Sequence, residues 1–132
     1  MTPLDALRDL VGSEIGLSDW VGIGPSRLAL YERAIGPQPI DPVPPLLLLS
    51  LLPYLLAGVS LPVGEPRATI NYGLDRVEAG VAVLADEKVR ARTFLEGVEV
   101  IGDAVQLRRK AVVEKETGEI ALVAVTLTRL IY

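Results

Sequence analysis

The feature that most constrains the fold is a short, almost wholly apolar stretch at residues 46–58. Only Ser50, Pro53 and Tyr54 interrupt its aliphatic residues and glycine. The stretch is shorter than the roughly 20 residues that a helix needs to cross a bilayer. A helix that is apolar on all sides must be surrounded by protein. The sequence therefore predicts a buried central helix, kinked at Pro53 because proline has no N–H to donate to the carbonyl of Leu49.

A proline-rich segment, residues 37–45, leads into this helix. Its five prolines remove backbone donors and push the preceding residues towards extended conformations. We expect a stiff, nearly extended connector, with Pro45 placed to begin the next helix. Upstream, the sequence predicts a short helix capped by Thr2, a strand over residues 18–23 and a helix over residues 26–35.

The second half of the chain has the pattern of β structure. Strands are predicted over residues 67–77, 88–100, 104–116 and 119–132, and the last two are joined by a turn at Lys115–Gly118. The final strand is apolar on both faces at its centre, which indicates an interior position in the sheet. The pattern predicts a single α+β domain over residues 1–132, an antiparallel sheet around a central helix. Other α+β sandwiches also fit this pattern.

Residue counts exclude several kinds of chemistry. The chain has no cysteine and no histidine, which rules out disulfides, thiolate nucleophiles and Cys/His zinc sites. It also rules out an imidazole base, including that of the Ser-His-Asp triad. Proton transfer by a side chain would fall to Asp, Glu, Lys or Tyr. The sequence implies no cofactor and no metal.

Charge and hydropathy indicate an apolar partner rather than a nucleic acid. The net charge is −4 and the basic residues are scattered among acids, whereas nucleic-acid binding needs clustered Lys and Arg. Half of the residues are apolar, and the mean hydropathy is +0.40, which favours a subunit interface or a ligand pocket. The N-terminal residues lack the pattern of a signal peptide. We therefore expect a cytoplasmic protein without membrane segments.

Four segments resemble the MaoC-like dehydratases and (R)-specific enoyl-CoA hydratases. Residues 11–21 are similar to the entry segment of that family, and LLLSLLP at 47–53 is similar to its central helix. NYGLDRV at 71–77 is the most distinctive match, and KVRAR at 88–92 resembles the strand that usually follows. The resemblance implies a hot-dog fold and a homodimer in which two sheets join edge to edge.

The chain departs from that family in the catalytic loop. Active members place an Asp and a His in a loop of the form ATGDxxxxH, and a His-Gly opens the central helix. Here Ala34–Gly36 matches the loop opening, Pro37 stands at the aspartate position, and Asp41 is nearest to the histidine position. About ten further loop residues are missing, and Pro44–Pro45 replaces the His-Gly. The resemblance therefore implies a scaffold that has lost its water-activating pair.

Each candidate site residue has a functional and a structural interpretation. For Asp41, the functional interpretation is a general acid or base in an apolar pocket, and the structural interpretation is an exposed loop carboxylate. Ser50 and Tyr54 share a helix face and contact a substrate carbonyl, or Ser50 bonds back to its own helix. Arg109 contacts a ligand carboxylate or an interface, or lies at an exposed strand end. The predicted catalytic residues are Asp41, Ser50, Tyr54 and Asn71, and the predicted substrate-binding residues are Trp20, Tyr31, Leu47 and Tyr72.

Three functions are compatible with the sequence. The first is an enzyme that shapes a hydrophobic acyl or polyketide-type substrate for cyclisation, since orientation alone can remove much of a barrier. The second is a catalytically inactive hot-dog subunit or ligand-binding partner of an active dehydratase. The third is a residual enoyl-thioester hydratase that uses Asp41 alone.

Overall fold

The fold is one antiparallel sheet with helices packed against it. The computed structural model describes residues 3–132, so the predicted cap at Thr2 lies outside the described residues. The elements, in chain order, are α1 (Pro3–Asp9), β1 (Glu14–Leu17), β2 (Val21–Gly22), α2 (Gly24–Ile35), α3 (Pro45–Ser50), α4 (Leu52–Leu55), β3 (Ala68–Ala79), β4 (Lys88–Ile101), β5 (Ala104–Lys115) and β6 (Ile120–Ile131). This is the predicted α+β class.

The strand order is β1-β4-β5-β6-β3, with β2 also pairing with β4. The predicted turn between β5 and β6 is confirmed, because the N–H of Gly118 donates to the carbonyl of Lys115 at 2.9 Å. β6 lies between β5 and β3, so its predicted interior position is also confirmed. Its neighbours on both sides explain why apolar residues occupy both of its faces.

The predicted single strand over residues 18–23 is wrong. Two short strands, β1 and β2, pair with β4 instead, and residues 18–20 lie between them. The reason is visible at Ser18, whose hydroxyl oxygen accepts the N–H of Ala91 at 2.9 Å. This side chain takes the place of a backbone partner, which ends the regular ladder there.

The predicted central helix also needs correction. It consists of two short helices, α3 and α4, which are separated at Leu51. The break lies at this point because Pro53 has no N–H with which to extend the hydrogen bonds of α3 into α4. The helices are not buried on all sides, since Leu46 is 66% and Tyr54 is 63% exposed. The side that faces the sheet carries the buried leucines: Leu47, Leu48, Leu51, Leu52, Leu55 and Leu56.

The edge strand β3 differs from the rest of the sheet. It pairs on one side with β6 and has no strand on its other side in the described part of the chain. Every residue of β3 except Gly73 is exposed. By contrast, the core lies beneath β4, β5 and β6, where Val89, Ala111 and Leu122 are completely buried. None of the helices among residues 3–132 has the length and apolarity required to span a membrane.

Candidate functional site

A cavity of about 440 Å³ lies between the paired helices α3–α4 and the β3 edge of the sheet; we call it the main cavity. It is a cleft rather than a sealed void. The helices provide one wall and the strands β3, β5 and β6 provide the floor. The lining residues are Leu49, Ser50, Leu52, Pro53, Leu56, Thr69, Asn71, Leu74, Arg109, Thr126 and Thr128.

The two sides of the main cavity differ in chemistry. The helical wall is apolar except for Ser50, whereas the strand floor holds an amide, three threonines and an arginine. In the part of the chain that the structure describes, no lining residue carries a carboxylate. A ligand in this cavity would place apolar atoms against the helices and hydrogen-bonding atoms against the sheet.

Strand register places the polar floor residues side by side. Arg109 on β5 lies opposite Thr126 on β6, and Thr128 lies opposite Asn71 on β3. Residues directly opposite on antiparallel strands share a face. Residues two apart on one strand also share a face, so Thr126 and Thr128 both face the cavity. Sequence reasoning did not identify these threonines. Their signal was a Thr-x-Thr pattern in the most apolar strand.

Arg109 is largely buried at this floor. Its Nη2 donates to the hydroxyl of Thr128 at 3.1 Å, and its buried Nε has no hydrogen-bond partner among residues 3–132. Burial lowers the pKa of Arg109 because a charged guanidinium loses its hydration there. The predicted alternative of an exposed strand end is therefore wrong, and the side chain belongs to the main cavity.

Ser50 and Asn71 are the two predicted catalytic residues that the fold brings to the main cavity. The hydroxyl of Ser50 donates to the carbonyl of Leu47 at 2.7 Å, which is the back-bonding alternative expected for a helical serine. Its oxygen can still accept a hydrogen bond. Asn71 lies on the cavity face of β3, whereas Tyr72 stacks under Arg129 at 3.6 Å, outside the cavity lining.

Trp20 and Tyr54 line a different cleft, of about 410 Å³, beside β1 and β2. The prediction that Ser50 and Tyr54 share one helix face is wrong. The break at Leu51 places them in separate helices and rotates Tyr54 away from the main cavity. Arg90 lies 4.4 Å from the ring of Trp20, so this aromatic side chain forms a cation–π contact beside the second cleft.

The remaining predicted residues, Asp41, Tyr31 and Leu47, line neither cavity. Asp41 is exposed, and its Oδ1 accepts the N–H of Ala85 at 3.4 Å, so the carboxylate joins two loops. Tyr31 and Leu47 pack in the hydrophobic core. Their positions therefore do not support the predicted substrate-binding role. No group of three acidic side chains suited to a metal ion occurs among the described residues.

The main charged network lies on the sheet between β4 and β5, outside the main cavity. Glu114 bonds to the Nε of Arg90 at 2.7 Å and to Arg92 at 3.2 Å. These arginines hold the pKa of Glu114 below its ordinary value. Arg92 also pairs with Glu14 at 2.6 Å, which connects β1 to the sheet. The network therefore supports the fold rather than a reaction.

Comparison of sequences identifies full-length relatives. The chain is 30% identical to 3-hydroxyacyl-thioester dehydratase Z from Mycobacterium tuberculosis and from Mycobacterium bovis, with 98% of each protein covered. The alignment runs over 155 residues, more than the 132 of this chain. The relative therefore carries positions that have no counterpart here. No family model matches the chain.

Comparison of structures supports the same assignment of fold. The MaoC-like dehydratase from Rhodospirillum rubrum superposes with a TM-score of 0.76 at 14% identity and 95% coverage of both chains. The (R)-hydratase from A. caviae involved in PHA biosynthesis has a TM-score of 0.63 at 17% identity, covering 87% of this chain and 96% of the hydratase. The HadBC (3R-hydroxyacyl-ACP dehydratase) complex from Mycobacterium tuberculosis has a TM-score of 0.61 at 17% identity, covering 86% of this chain and 94% of the matched HadBC chain. With a relative at 30% identity over almost its whole length, this hot-dog chain belongs to the MaoC-like dehydratase family.

Proposed function

We propose that this chain is an enzyme that binds an apolar acyl or polyketide-type substrate in the main cavity and promotes its cyclisation rather than its hydration. The observation that carries the proposal is the cavity itself, about 440 Å³ of space with a leucine-rich wall and a polar floor. The relatives' name supports an acyl thioester as the substrate class.

Substrate shaping is the mechanism that suits this lining. A flexible chain held in a folded conformation approaches the geometry of ring closure, and such orientation lowers the entropic barrier. Leu52 and Leu56 would confine the chain, while the side-chain amide of Asn71 would donate a hydrogen bond to a substrate carbonyl. An isomerising ring closure keeps every atom of the substrate, so it needs neither activated water nor a leaving group.

Hydration is disfavoured by the same geometry. The sequence has no histidine, and Asp41 lies at an exposed loop outside the main cavity. A general base must reach the proton that it removes, directly or through one water. The residual hydratase mechanism that relies on Asp41 alone therefore has no support from the position of this side chain.

We also propose that the protein is a homodimer formed through β3. A long exposed edge strand with apolar residues pairs readily with another strand. On β3, Ile70, Tyr72, Leu74 and Val77 are all exposed. Pairing of two β3 edges would continue the sheet and bring the partner close to the mouth of the main cavity.

A thermal-shift screen with hydrophobic polyenes and acyl thioesters tests ligand binding. We expect a stabilising shift for the wild type. The shift should be lost in Ser50→Trp, which fills the main cavity, and kept in Ala57→Trp, which adds the same ring at an exposed site outside the cavity lining. Absence of any shift across the screen would overturn the enzyme proposal.

A second candidate is a catalytically inactive subunit of an active dehydratase. The similarity to the HadBC complex favours it, and so does the β3 edge, which pairs with no second strand in the described chain. Purification of the chain alone distinguishes the enzyme from the inactive subunit. A stable homodimer that binds acyl ligands favours the enzyme, whereas insolubility that is relieved by coexpression with an active family member favours the subunit.

A further inference from the structure

We propose that Arg109 makes the main cavity selective for an apolar ligand that carries a carboxylate. This inference rests on the proposed function, because it assumes that the cavity holds a ligand. It adds the class of functional group that the ligand presents to the sheet. The leucine wall would take the hydrocarbon part, and the guanidinium at the floor would take the anionic end.

The first support is the absence of a counter-charge. None of the ion pairs among residues 3–132 includes Arg109. Its neighbour Arg108, on the opposite face, pairs with both Asp75 and Glu96. Within the described part of the chain, acids therefore pair with arginine on the outer face, and no ion pair reaches the arginine at the cavity floor.

The second support is the hydrogen-bonding capacity that stays unused. A guanidinium has five N–H donors. One hydrogen bond to the neutral hydroxyl of Thr128 is present, and no described residue accepts a hydrogen bond from the buried Nε. A buried charge that lacks an opposite charge is unfavourable. The lowered pKa of Arg109 reflects that burial. A bound anion would supply the missing charge.

The third support is the match between donor and ligand. A planar guanidinium binds the two oxygens of a carboxylate through parallel hydrogen bonds, which a single carbonyl oxygen cannot do. Thr126 and Thr128 lie beside Arg109 on the same face of the sheet, so their hydroxyls are close to the position that a carboxylate would occupy. The rest of the wall is apolar and would exclude a strongly hydrated anion without a hydrocarbon part.

Binding of matched ligands tests the inference. Decanoic acid and methyl decanoate share one chain, and only the acid carries a charge at neutral pH. Below the micelle concentration, titration calorimetry on the wild-type protein should show at least about tenfold tighter binding of the acid, as expected for charge-assisted hydrogen bonds. Arg109→Met should remove that preference and keep the affinity for the ester within about twofold of the wild-type value.

Lys110→Met is the matched control. Lys110 is the next residue of β5, points to the opposite face and lies outside the lining of the main cavity. This variant removes one positive charge from the same strand, so it should keep the preference for the acid. Arg109→Lys should restore part of the preference, since lysine keeps the charge and loses the planar fork.

The outcomes separate the two proposals. Equal binding of acid and ester by the wild type overturns the carboxylate site but remains consistent with ligand binding in the main cavity. Binding of neither ligand overturns both proposals. Loss of the acid preference in Lys110→Met would show a general charge effect and would also overturn the site. If Arg109→Met fails to fold, the comparison of acid with ester in the wild type still tests whether the cavity prefers a carboxylate.

Discussion

The body of the sheet and its β3 edge are built in opposite ways. In β4, β5 and β6, buried residues recur along each strand and contribute to the hydrophobic core. In β3 almost every residue is exposed, and the main cavity opens beside it. The contrast teaches that stability depends on the buried positions of β4, β5 and β6, whereas the main cavity forms where residues of β5 and β6 meet the open β3 edge. Changes at the fully buried positions of the body should therefore affect folding, and changes at the residues that line the main cavity should affect binding.

The largest expected effect is loss of a leucine from the body. Leu122 is 0% exposed and Leu74, on β3, is 49% exposed. Leu122→Ala should lower the free energy of unfolding by about 2–5 kcal/mol because it leaves a cavity in the core. Leu74→Ala should cost less than about 1 kcal/mol. Urea denaturation at one protein concentration measures both, and equal losses would contradict the contrast.

Two glycines near the β3 edge sharpen the comparison. A Cβ added at Gly80 would lie 2.1 Å from the backbone oxygen of Ile120, whereas a Cβ at Gly73 meets nothing within 4 Å. Gly80→Ala should therefore destabilise the protein by roughly 1–3 kcal/mol. Gly73→Ala should leave stability unchanged or raise it by up to about 1 kcal/mol. Thermal unfolding of the two variants under one condition tests this, and the reverse order would show that the close approach is absent.

The charged network of the body predicts a loss of stability in acid. Because the folded-state pKa of Glu114 is lowered, its stabilising effect is complete above the unfolded pKa of roughly 4.3 and is lost as pH falls through the folded value. At pH 7, Glu114→Gln should lower the free energy of unfolding by roughly 1–2 kcal/mol. On acidification the variant should lose less stability than the wild type.

Glu78 is the control for this pH experiment. It pairs with Arg76 at 2.9 Å, and both side chains are 56% exposed. Glu78→Gln should change stability very little, because an exposed pair is screened by solvent. Urea titrations between pH 3 and pH 7 on both variants separate the partly buried network from the surface pair. Identical pH profiles for Glu114→Gln and the wild type would contradict the proposed role of Glu114.

The smallest expected effect concerns Asp41. Since its carboxylate lies outside the main cavity, Asp41→Asn should leave any crotonyl-thioester hydration rate unchanged. A spectrophotometric assay of wild type and variant measures this. A loss of about tenfold or more would restore the general-base role of Asp41 that the structure disfavours.

Local patterns made much of the fold predictable. The alternation along β5 and the Lys115–Gly118 turn specify a hairpin from neighbouring residues alone. The break at Leu51 agrees with the kink expected at Pro53. The exposure of one side of the helix could not be predicted, because composition indicated apolar residues without showing which side of the helix they occupy. Leu46 and Tyr54 are apolar or aromatic and nevertheless exposed.

The site was predicted only in part, since it depends on strand register. Ser50, Asn71 and Arg109 come from three distant segments, and only the order β5-β6-β3 brings them together. The family resemblance points to Asp41 through its place in a loop whose pattern is shortened in this sequence. The position of a residue in a family pattern ceases to specify its surroundings when the neighbouring chain is missing.

A crystal structure of the protein with a decanoyl thioester tests the central claim most directly. We expect the acyl chain between α3–α4 and the β3 edge, in contact with Leu52 and Leu56 and within hydrogen-bonding reach of Asn71. A main cavity filled by side chains of a second copy, or a ligand found only in the cleft beside Trp20 and Tyr54, would contradict it.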